Sequence, residues 1–178
     1  MTGKTHLSCG ILVGASIVSY CDTDLFTSIT VVTLAALSSI FPDICHTRSK
    51  VGRKFKLLSW IIRLLFGHRT FTHSLSFIAL IGLLLYLFHA PIYYGSAIIA
   101  GMISHIILDM LTPRGVKLLY PLPINVKFPV TFKTGGAVDA ALATALTIGA
   151  VYLLFSSFWQ EVFYNMLKWI KDWRYKNF

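Results

Sequence analysis

Long stretches without charged residues are the feature that most constrains how this chain can fold. Five such stretches can be delimited, at residues 7–20, 25–41, 71–90, 91–112 and 137–159. The first three contain no Asp, Glu, Lys or Arg, and the other two contain one aspartate each. Because roughly 20 apolar residues in a helix cross the ~30 Å core of a bilayer, the last three stretches predict spanning helices. The second stretch is marginal, and the first reaches that length only with flanking residues.

Composition favours a membrane location. The chain has 178 residues, of which 56% are hydrophobic and 13% are charged, whereas an ordinary soluble domain carries about 25% charged residues. The prediction is an all-α fold: a single membrane-embedded domain over residues 1–178, built as a multi-pass bundle of four to five transmembrane helices. Two further segments, 55–66 and 160–175, combine apolar or aromatic residues with basic ones and are predicted to be interfacial helices.

The distribution of basic residues predicts the orientation. The formal net charge is +9, but basic residues beside apolar runs typically contact anionic lipid and fix membrane orientation. We therefore expect membrane lipid, rather than nucleic acid, as the partner. Lys and Arg are concentrated in residues 42–70 and 113–136 and are absent from 21–24 and 89–91. The N-terminus and both basic segments are therefore expected in the cytosol, while the side of the C-terminal tail stays open.

Histidine and aspartate collect at the helix ends that are expected to face the cytosol. They are His6, Asp43, His46, His68, His73, His105, Asp109 and Asp139. The i, i+4 spacing of His105 and Asp109 puts both on one face of a helix. A helix cap, a helix exit or an internal hydrogen bond would explain each motif alone, but not their convergence on one membrane face. Since an ionisable residue in a membrane segment is a functional hypothesis by default, we predict a site there.

The residue types predict a metal site. Imidazole and carboxylate are ligands of Zn²⁺, Mn²⁺ and non-haem Fe, and Zn²⁺ is the first choice. One catalytic zinc takes three protein ligands and a water, so the candidate set is large enough for more than one ion. Two ions can clamp a phosphate ester and activate water. A position at headgroup depth favours a lipid phosphate or a polyprenyl phosphate as substrate.

Four blocks of the sequence resemble a known family. They are KTHLSCG, FPDICHTRS, GHRTFTHSL and GMISHIILDMLTPRGVKLLYP, and they are similar in order and spacing to the YdjM-like family of membrane-bound, metal-dependent hydrolases. The resemblance covers most of residues 1–140. It implies a location in the bacterial inner membrane, and its H-x-x-x-D motif is also similar to that of zinc-dependent phospholipase C. The metal roles that it implies fall on His6, Asp43, His46, His68, His73, His105 and Asp109.

Two positions depart from the family pattern. The second block commonly reads P-D-I-D-H, and Cys45 stands in place of its second aspartate. A thiolate can bind zinc, so Cys45 is either a ligand or a position that does not bind the ion. Near the start of the last helix the family tends to have Glu, where this chain has Asp139. Asp139 is therefore predicted to be a late ligand or a general base.

The leading functional prediction is a membrane-bound, metal-dependent hydrolase with its site at the cytosolic interface. Its substrate is predicted to be a phosphoester, whose charge Arg69 would neutralise. The alternative is a non-enzymatic multi-pass membrane protein with a structural or sensory metal site. A cation transporter is disfavoured, because transporter ligands lie near mid-membrane and these cluster at one end. The sequence leaves open the substrate, the identity and number of the ions, and the oligomeric state.

Overall fold

The structure is a computed structural model that describes residues 1–21, 23–45 and 70–177. Of residues 46–69 it describes only Lys54, Lys56, Leu57, Trp60 and Leu64. The predicted interfacial helix at 55–66 therefore falls mostly outside the described residues. Three predicted site residues also lie outside them, namely His46, His68 and Arg69.

The described chain is helical. Its elements are α1 (Gly3–Tyr20), α2 (Leu25–Ser38), a first 3₁₀ turn (Phe41–Cys45), a second 3₁₀ turn (Phe71–His73), α3 (Leu75–Leu87), α4 (Ile92–Met110) and α5 (Ala137–Asn177). Residues 111–136, between α4 and α5, contain one isolated antiparallel bridge, in which Val116 and Val126 exchange hydrogen bonds of 3.0 and 2.8 Å. No strand occurs in the described ranges, so the all-α prediction is confirmed.

Helix length limits which helices can span a bilayer. Among the described helices, α4 and the Ala137–Arg174 part of α5 are long and apolar enough to cross. The apolar helices α2 and α3 have 14 and 13 residues, which corresponds to about 20 Å at 1.5 Å per residue. Length and composition therefore support two membrane-spanning helices, fewer than the four to five that the sequence predicts.

Three predicted boundaries shift in the structure. The stretch 25–41 ends as an α-helix at Ser38, because Pro42 has no N–H to donate to the Ser38 carbonyl four residues earlier, and a 3₁₀ turn follows. The stretch 71–90 begins as a helix at Leu75, after Ser74 caps α3 by accepting a hydrogen bond from Phe77 N at 3.2 Å. The segments 137–159 and 160–175 lie on one continuous helix, since no Gly or Pro interrupts residues 150–177.

The helices pack closely where their residues are small. α1 contacts α2, α4 and α5, while α2 also contacts α4, and α3 packs on α4. A methyl group added at Gly14 of α1 would lie 2.6 Å from Val32 Cα, and one added at Gly101 of α4 would lie 2.5 Å from Ala35 O. Both distances are shorter than van der Waals contact. Glycine at these positions therefore allows α1 and α4 to approach the backbone of α2, as in membrane helix pairs generally.

The outside of the bundle is apolar. Large apolar side chains lie exposed on α3, such as Leu83 (53%) and Leu87 (58%), and on α5, such as Val151 (60%) and Phe155 (59%). The buried residues include a small cluster between α2 and α4, formed by Val31, Ala35 and Ala97. Exposed apolar surface on this scale marks a membrane or protein contact rather than a water-facing surface.

Asp24, the last residue of the connection between α1 and α2, caps the N-terminus of α2. The Asp24 carboxylate accepts hydrogen bonds from Thr27 N, at 3.1 Å, and from the Thr27 hydroxyl. These bonds favour the charged form, and they lower the pKa of Asp24, with the hydroxyl of Thr27 as the largest cause. A carboxylate at this position also satisfies backbone donors in the first turn of α2 that have no partner within the helix.

Candidate metal centre

Four side chains from separate parts of the chain meet at one end of the bundle. Asp43 lies in the first 3₁₀ turn, His73 ends the second, and His105 and Asp109 lie on the last turns of α4. One donor atom from each lies within 4.8 Å of the other three. The side chains of His73, His105 and Asp109 are fully buried, whereas that of Asp43 is 20% exposed. We call these four residues the donor group.

The separations within the donor group match those around a single ion. His73 Nε2 lies 3.1 Å from His105 Nε2, 3.5 Å from Asp109 Oδ2 and 3.8 Å from Asp43 Oδ1. His105 Nε2 lies 3.8 Å from Asp109 Oδ2 and 3.9 Å from Asp43 Oδ1. Tetrahedral zinc with bonds of 2.0–2.2 Å separates its ligand atoms by roughly 3.3–3.6 Å. The donor group therefore approaches the spacing around one divalent ion, and its atoms, which lie within 4.8 Å of one another, would move closer together on binding.

The far nitrogens of the two histidines are held by hydrogen bonds. His105 Nδ1 lies 2.7 Å from Ser39 O, and a carbonyl oxygen can only accept, so Nδ1 carries the proton. In the neutral ring the lone pair is then on Nε2, which faces the donor group. His73 Nδ1 lies 3.0 Å from the Thr72 hydroxyl. Partners of this kind fix the tautomer and the orientation of histidines that bind metals.

Electrostatics also favour a cation in the donor group. The carboxylates of Asp43 and Asp109 lie close together in a largely buried site, and two buried negative charges repel strongly at low dielectric. A positive charge shared by the donors relieves this repulsion.

His6 lies beside the donor group. Its ring stacks on that of His105, with centroids 3.9 Å apart and planes 18° apart. It is 1% exposed, and within the described part of the chain neither ring nitrogen makes a hydrogen bond. Its Nε2 lies 3.3 Å from Asp109 Oδ1, and the amino group of Met1 lies 2.7 Å from the same oxygen. Leaving a buried donor or acceptor unsatisfied costs about 1–3 kcal/mol.

Asp139 lies apart from the donor group. It is buried, and its carboxylate accepts hydrogen bonds from Thr2 N at 3.0 Å, from Gly135 N at 2.7 Å and from the Thr5 hydroxyl. These bonds tie the start of α5 to the first turn of α1, one residue before His6. In the structure Asp139 therefore stabilises the first turn of α1. Its predicted role as a ligand or general base stays a prediction.

The structure brings five predicted site residues together, namely Asp43, His73, His105 and Asp109 as the donor group, with His6 next to it. Cys45 ends the first 3₁₀ turn, two residues after Asp43. Sequence reasoning did not identify the partners of the histidines. The position of Thr72 directly before His73 in TFTHS could have predicted that its hydroxyl is the partner of His73. Ser39 acts through its backbone carbonyl, which no residue type reveals.

Exposed apolar helices around a buried histidine and aspartate cluster define the class: an all-helical membrane protein with a candidate metal centre. The chain belongs to the family described as YdjM inner membrane protein, whose sequence model matches residues 1–169. This membership confirms the family resemblance carried by the four sequence blocks.

Relatives with curated sequences agree with this assignment. The chain is 37% identical over 163 residues to the uncharacterized protein YvsG of Bacillus subtilis, covering 92% of this chain and 100% of YvsG. It is 33% identical over 129 residues to the inner membrane protein YdjM of Escherichia coli, covering 69% of this chain and 66% of that protein. The YdjM protein of Shigella flexneri matches to the same extent. No solved structure matches the chain.

Proposed function

We propose that this protein is a metal-dependent hydrolase that cleaves a phosphoester, such as a lipid phosphate, at the cytosolic face of the inner membrane. The observation that carries the proposal is the donor group, in which two histidines and two aspartates from separate chain segments converge within 4.8 Å. Buried groups of this composition are the usual ligands of catalytic zinc, manganese and iron.

The proposed ligands are the donor group and His6, joined by His46 and His68 on the strength of the family resemblance. A divalent ion bound there, with Zn²⁺ as first choice and Mn²⁺ or Fe as alternatives, would polarise a phosphoryl oxygen and lower the pKa of a water molecule. Ser39 O and the Thr72 hydroxyl hold His105 and His73 in the orientation that this binding requires.

Substrate access is proposed to be on the side of Asp43. It is the one member of the donor group with solvent exposure, 20% against 0% for the other three side chains. A phosphate approaching there would need a positive charge, and Arg69 is proposed to supply it by a paired hydrogen bond to two phosphate oxygens. For Asp139 the sequence predicts a late ligand or a general base, and its three hydrogen bonds favour a supporting role for the turn before His6.

The proposed topology places the donor group at the cytosolic end of the bundle. The chain would cross the membrane several times, with its N-terminus in the cytosol, because the basic residues of 42–70 and 113–136 are next in sequence to the chain segments that form this end. His105 follows Ile92, the first residue of α4, by 13 positions, which is about 20 Å along the helix. The site would therefore lie within reach of lipid headgroups.

Metal content tests the proposal first. We expect the purified wild type to contain stoichiometric divalent metal and the His105→Ala/Asp109→Ala double variant to contain none, measured by inductively coupled plasma mass spectrometry. Ile103→Ala/Ile107→Ala is the matched control, since it has the same spacing on the same helix and its side chains are 40% and 46% exposed. A metal-free wild type would contradict the proposal.

Phosphate release from a panel of lipid phosphates tests the hydrolase step. Asp43→Asn should lower the rate by more than the roughly 10–100-fold that is typical when an outer partner of a metal ligand is lost. The control is His89→Asn, at the opposite end of the bundle. His89 has a φ of 51°, and asparagine tolerates that conformation.

A second function, a structural metal site without catalysis, is favoured by one observation. The donor group offers four protein ligand atoms within 4.8 Å of one another. Four protein ligands fill a structural zinc site, whereas a catalytic zinc has three protein ligands and an open position. Under this alternative the ion is retained, its removal lowers the unfolding temperature, and no phosphoester in the panel is hydrolysed.

A further inference from the structure

We infer that the centre holds a second divalent ion, bound by His6 Nε2 and Asp109 Oδ1, with the Asp109 carboxylate shared between the two ions. This inference rests on the proposed function, since it assumes that the donor group binds an ion. It adds the number of ions and a role for His6 that differs from that of the other histidines.

The two oxygens of Asp109 face different partners. Oδ2 faces the donor group, at 3.5 Å from His73 Nε2 and 3.8 Å from His105 Nε2. Oδ1 faces His6 Nε2 at 3.3 Å. A carboxylate that offers one oxygen to each of two sets of nitrogens has the arrangement of a bridging ligand. The donor group is complete without His6, because its four atoms already lie within 4.8 Å of one another.

His6 has the burial of a ligand, and its contact with Asp109 Oδ1 at 3.3 Å does not have the geometry of a hydrogen bond. It is 1% exposed, and among the described residues neither of its ring nitrogens makes a hydrogen bond. Buried imidazoles normally have at least one hydrogen-bonding partner. A cation at Nε2 would supply that partner, and the stacking of the ring on His105 holds the nitrogen toward Asp109.

The position beside Asp109 Oδ1 also accommodates positive charge. The amino group of Met1 lies 2.7 Å from this oxygen, and both groups are fully buried. A divalent ion there would take the place of the ammonium group as the counter-charge. Two ions sharing a carboxylate suit phosphoester chemistry, because they can hold both the attacking and the leaving oxygen.

Metal counting separates one ion from two. We expect two ions per chain in the wild type and one in His6→Ala, measured by inductively coupled plasma mass spectrometry on folded, monodisperse protein in detergent. His89→Asn, which changes a histidine far from the centre, should retain two. In addition, wild type loaded with Mn²⁺ should give the electron paramagnetic resonance spectrum of an exchange-coupled pair, and His6→Ala the spectrum of an isolated ion.

The other outcomes decide against a second ion bound by His6. Two ions in both wild type and His6→Ala overturn the role of His6, because the second ion would then have other ligands. One ion in both wild type and His6→Ala overturns the second ion and leaves the proposed function standing. One ion in wild type and none in His6→Ala also overturns it, because His6 would then bind the same ion as the donor group. No ion in wild type removes both proposals together. If His6→Ala does not fold, the wild-type metal count and manganese spectrum still decide the question.

Discussion

The two ends of the helical bundle differ in which side chains they bury and which they expose. At the end with the donor group, His6, His73, His105, Asp109 and Asp139 are all 0–1% exposed. At the opposite end, large side chains such as Tyr20 (91%) and Leu25 (76%) are exposed. There a half-open cavity of about 770 Å³ is lined by the end of α1, the start of α2 and the middle of α5.

The specific polar contacts between chain segments are concentrated at the donor end of the bundle. Burying a polar group is favourable only when partners satisfy it. At the donor end such partners come from other chain segments, as between α1 and α5 or between the second 3₁₀ turn and α4. At the open end the described polar side chains bond mostly within their own helix or turn, as Asp24 does with Thr27. The donor end should therefore respond strongly to single substitutions, and the open end weakly.

The largest expected effect is at Asp139. In Asp139→Ala the donors Thr2 N, Gly135 N and the Thr5 hydroxyl lose their acceptor, at a cost of up to about 1–3 kcal/mol for each one left unsatisfied. Because the turn before His6 is then released, metal affinity should fall by about 10–100-fold. Thermal unfolding and metal titration measure the two effects.

Asp139→Asn is the matched control. The amide oxygen can accept both backbone bonds, and the amide nitrogen can donate to the Thr5 hydroxyl, which accepts as readily as it donates. We expect stability and metal affinity close to those of the wild type. An Asp139→Asn variant that folds and binds metal but has lost hydrolysis would instead make Asp139 the general base.

An intermediate effect is expected where α4 approaches α2. Gly101→Ala places a methyl group 2.5 Å from Ala35 O, and overpacking of this kind costs about 1–3 kcal/mol. Gly95→Ala, on the same helix, meets nothing within 4 Å and should be neutral or stabilising by up to roughly 0.5–1 kcal/mol. Equal unfolding temperatures for the two variants would show that the close approach is not required.

The smallest expected effect is at the open end. The folded state lowers the pKa of Asp24, so the stabilisation by this cap is present above the unfolded pKa of about 3.9. It is lost as the pH falls through the lower folded pKa. Acid unfolding curves of the wild type and Asp24→Ala should therefore converge at low pH and differ slightly at neutral pH. A difference that grows with acidity would contradict this assignment.

The sequence predicted the helical class, which is confirmed, because long charge-free runs indicate helices. It also predicted that His105 and Asp109 share one helix face, since their i, i+4 spacing follows from helix periodicity. Helix limits were less accurate. Hydropathy measures apolar length, whereas the end of α2 is set by Pro42 and the start of α3 by the cap at Ser74.

The individual roles within the site could not be derived from residue types alone. His6, His73 and His105 look equivalent in the sequence, yet His105 is fixed by a backbone carbonyl, His73 lies beside a hydroxyl, and His6 has neither. Asp139 and Asp109 also look equivalent. The first accepts hydrogen bonds from Thr2, Thr5 and Gly135, and the second faces the histidines. These differences come from the packing of the helices and the two 3₁₀ turns against one another, which residue types alone do not specify.

The length of α5 has a geometric consequence for its far half. A helix of 41 residues extends about 60 Å at 1.5 Å per residue, roughly twice the ~30 Å hydrocarbon thickness of a bilayer. Lys168, Lys171 and Arg174 begin 31 residues after Ala137, about 46 Å along the axis. In a straight helix that crosses near the membrane normal from the donor end, these charges clear the hydrocarbon entirely. The far half of α5 can then carry them without the cost of placing charge in lipid.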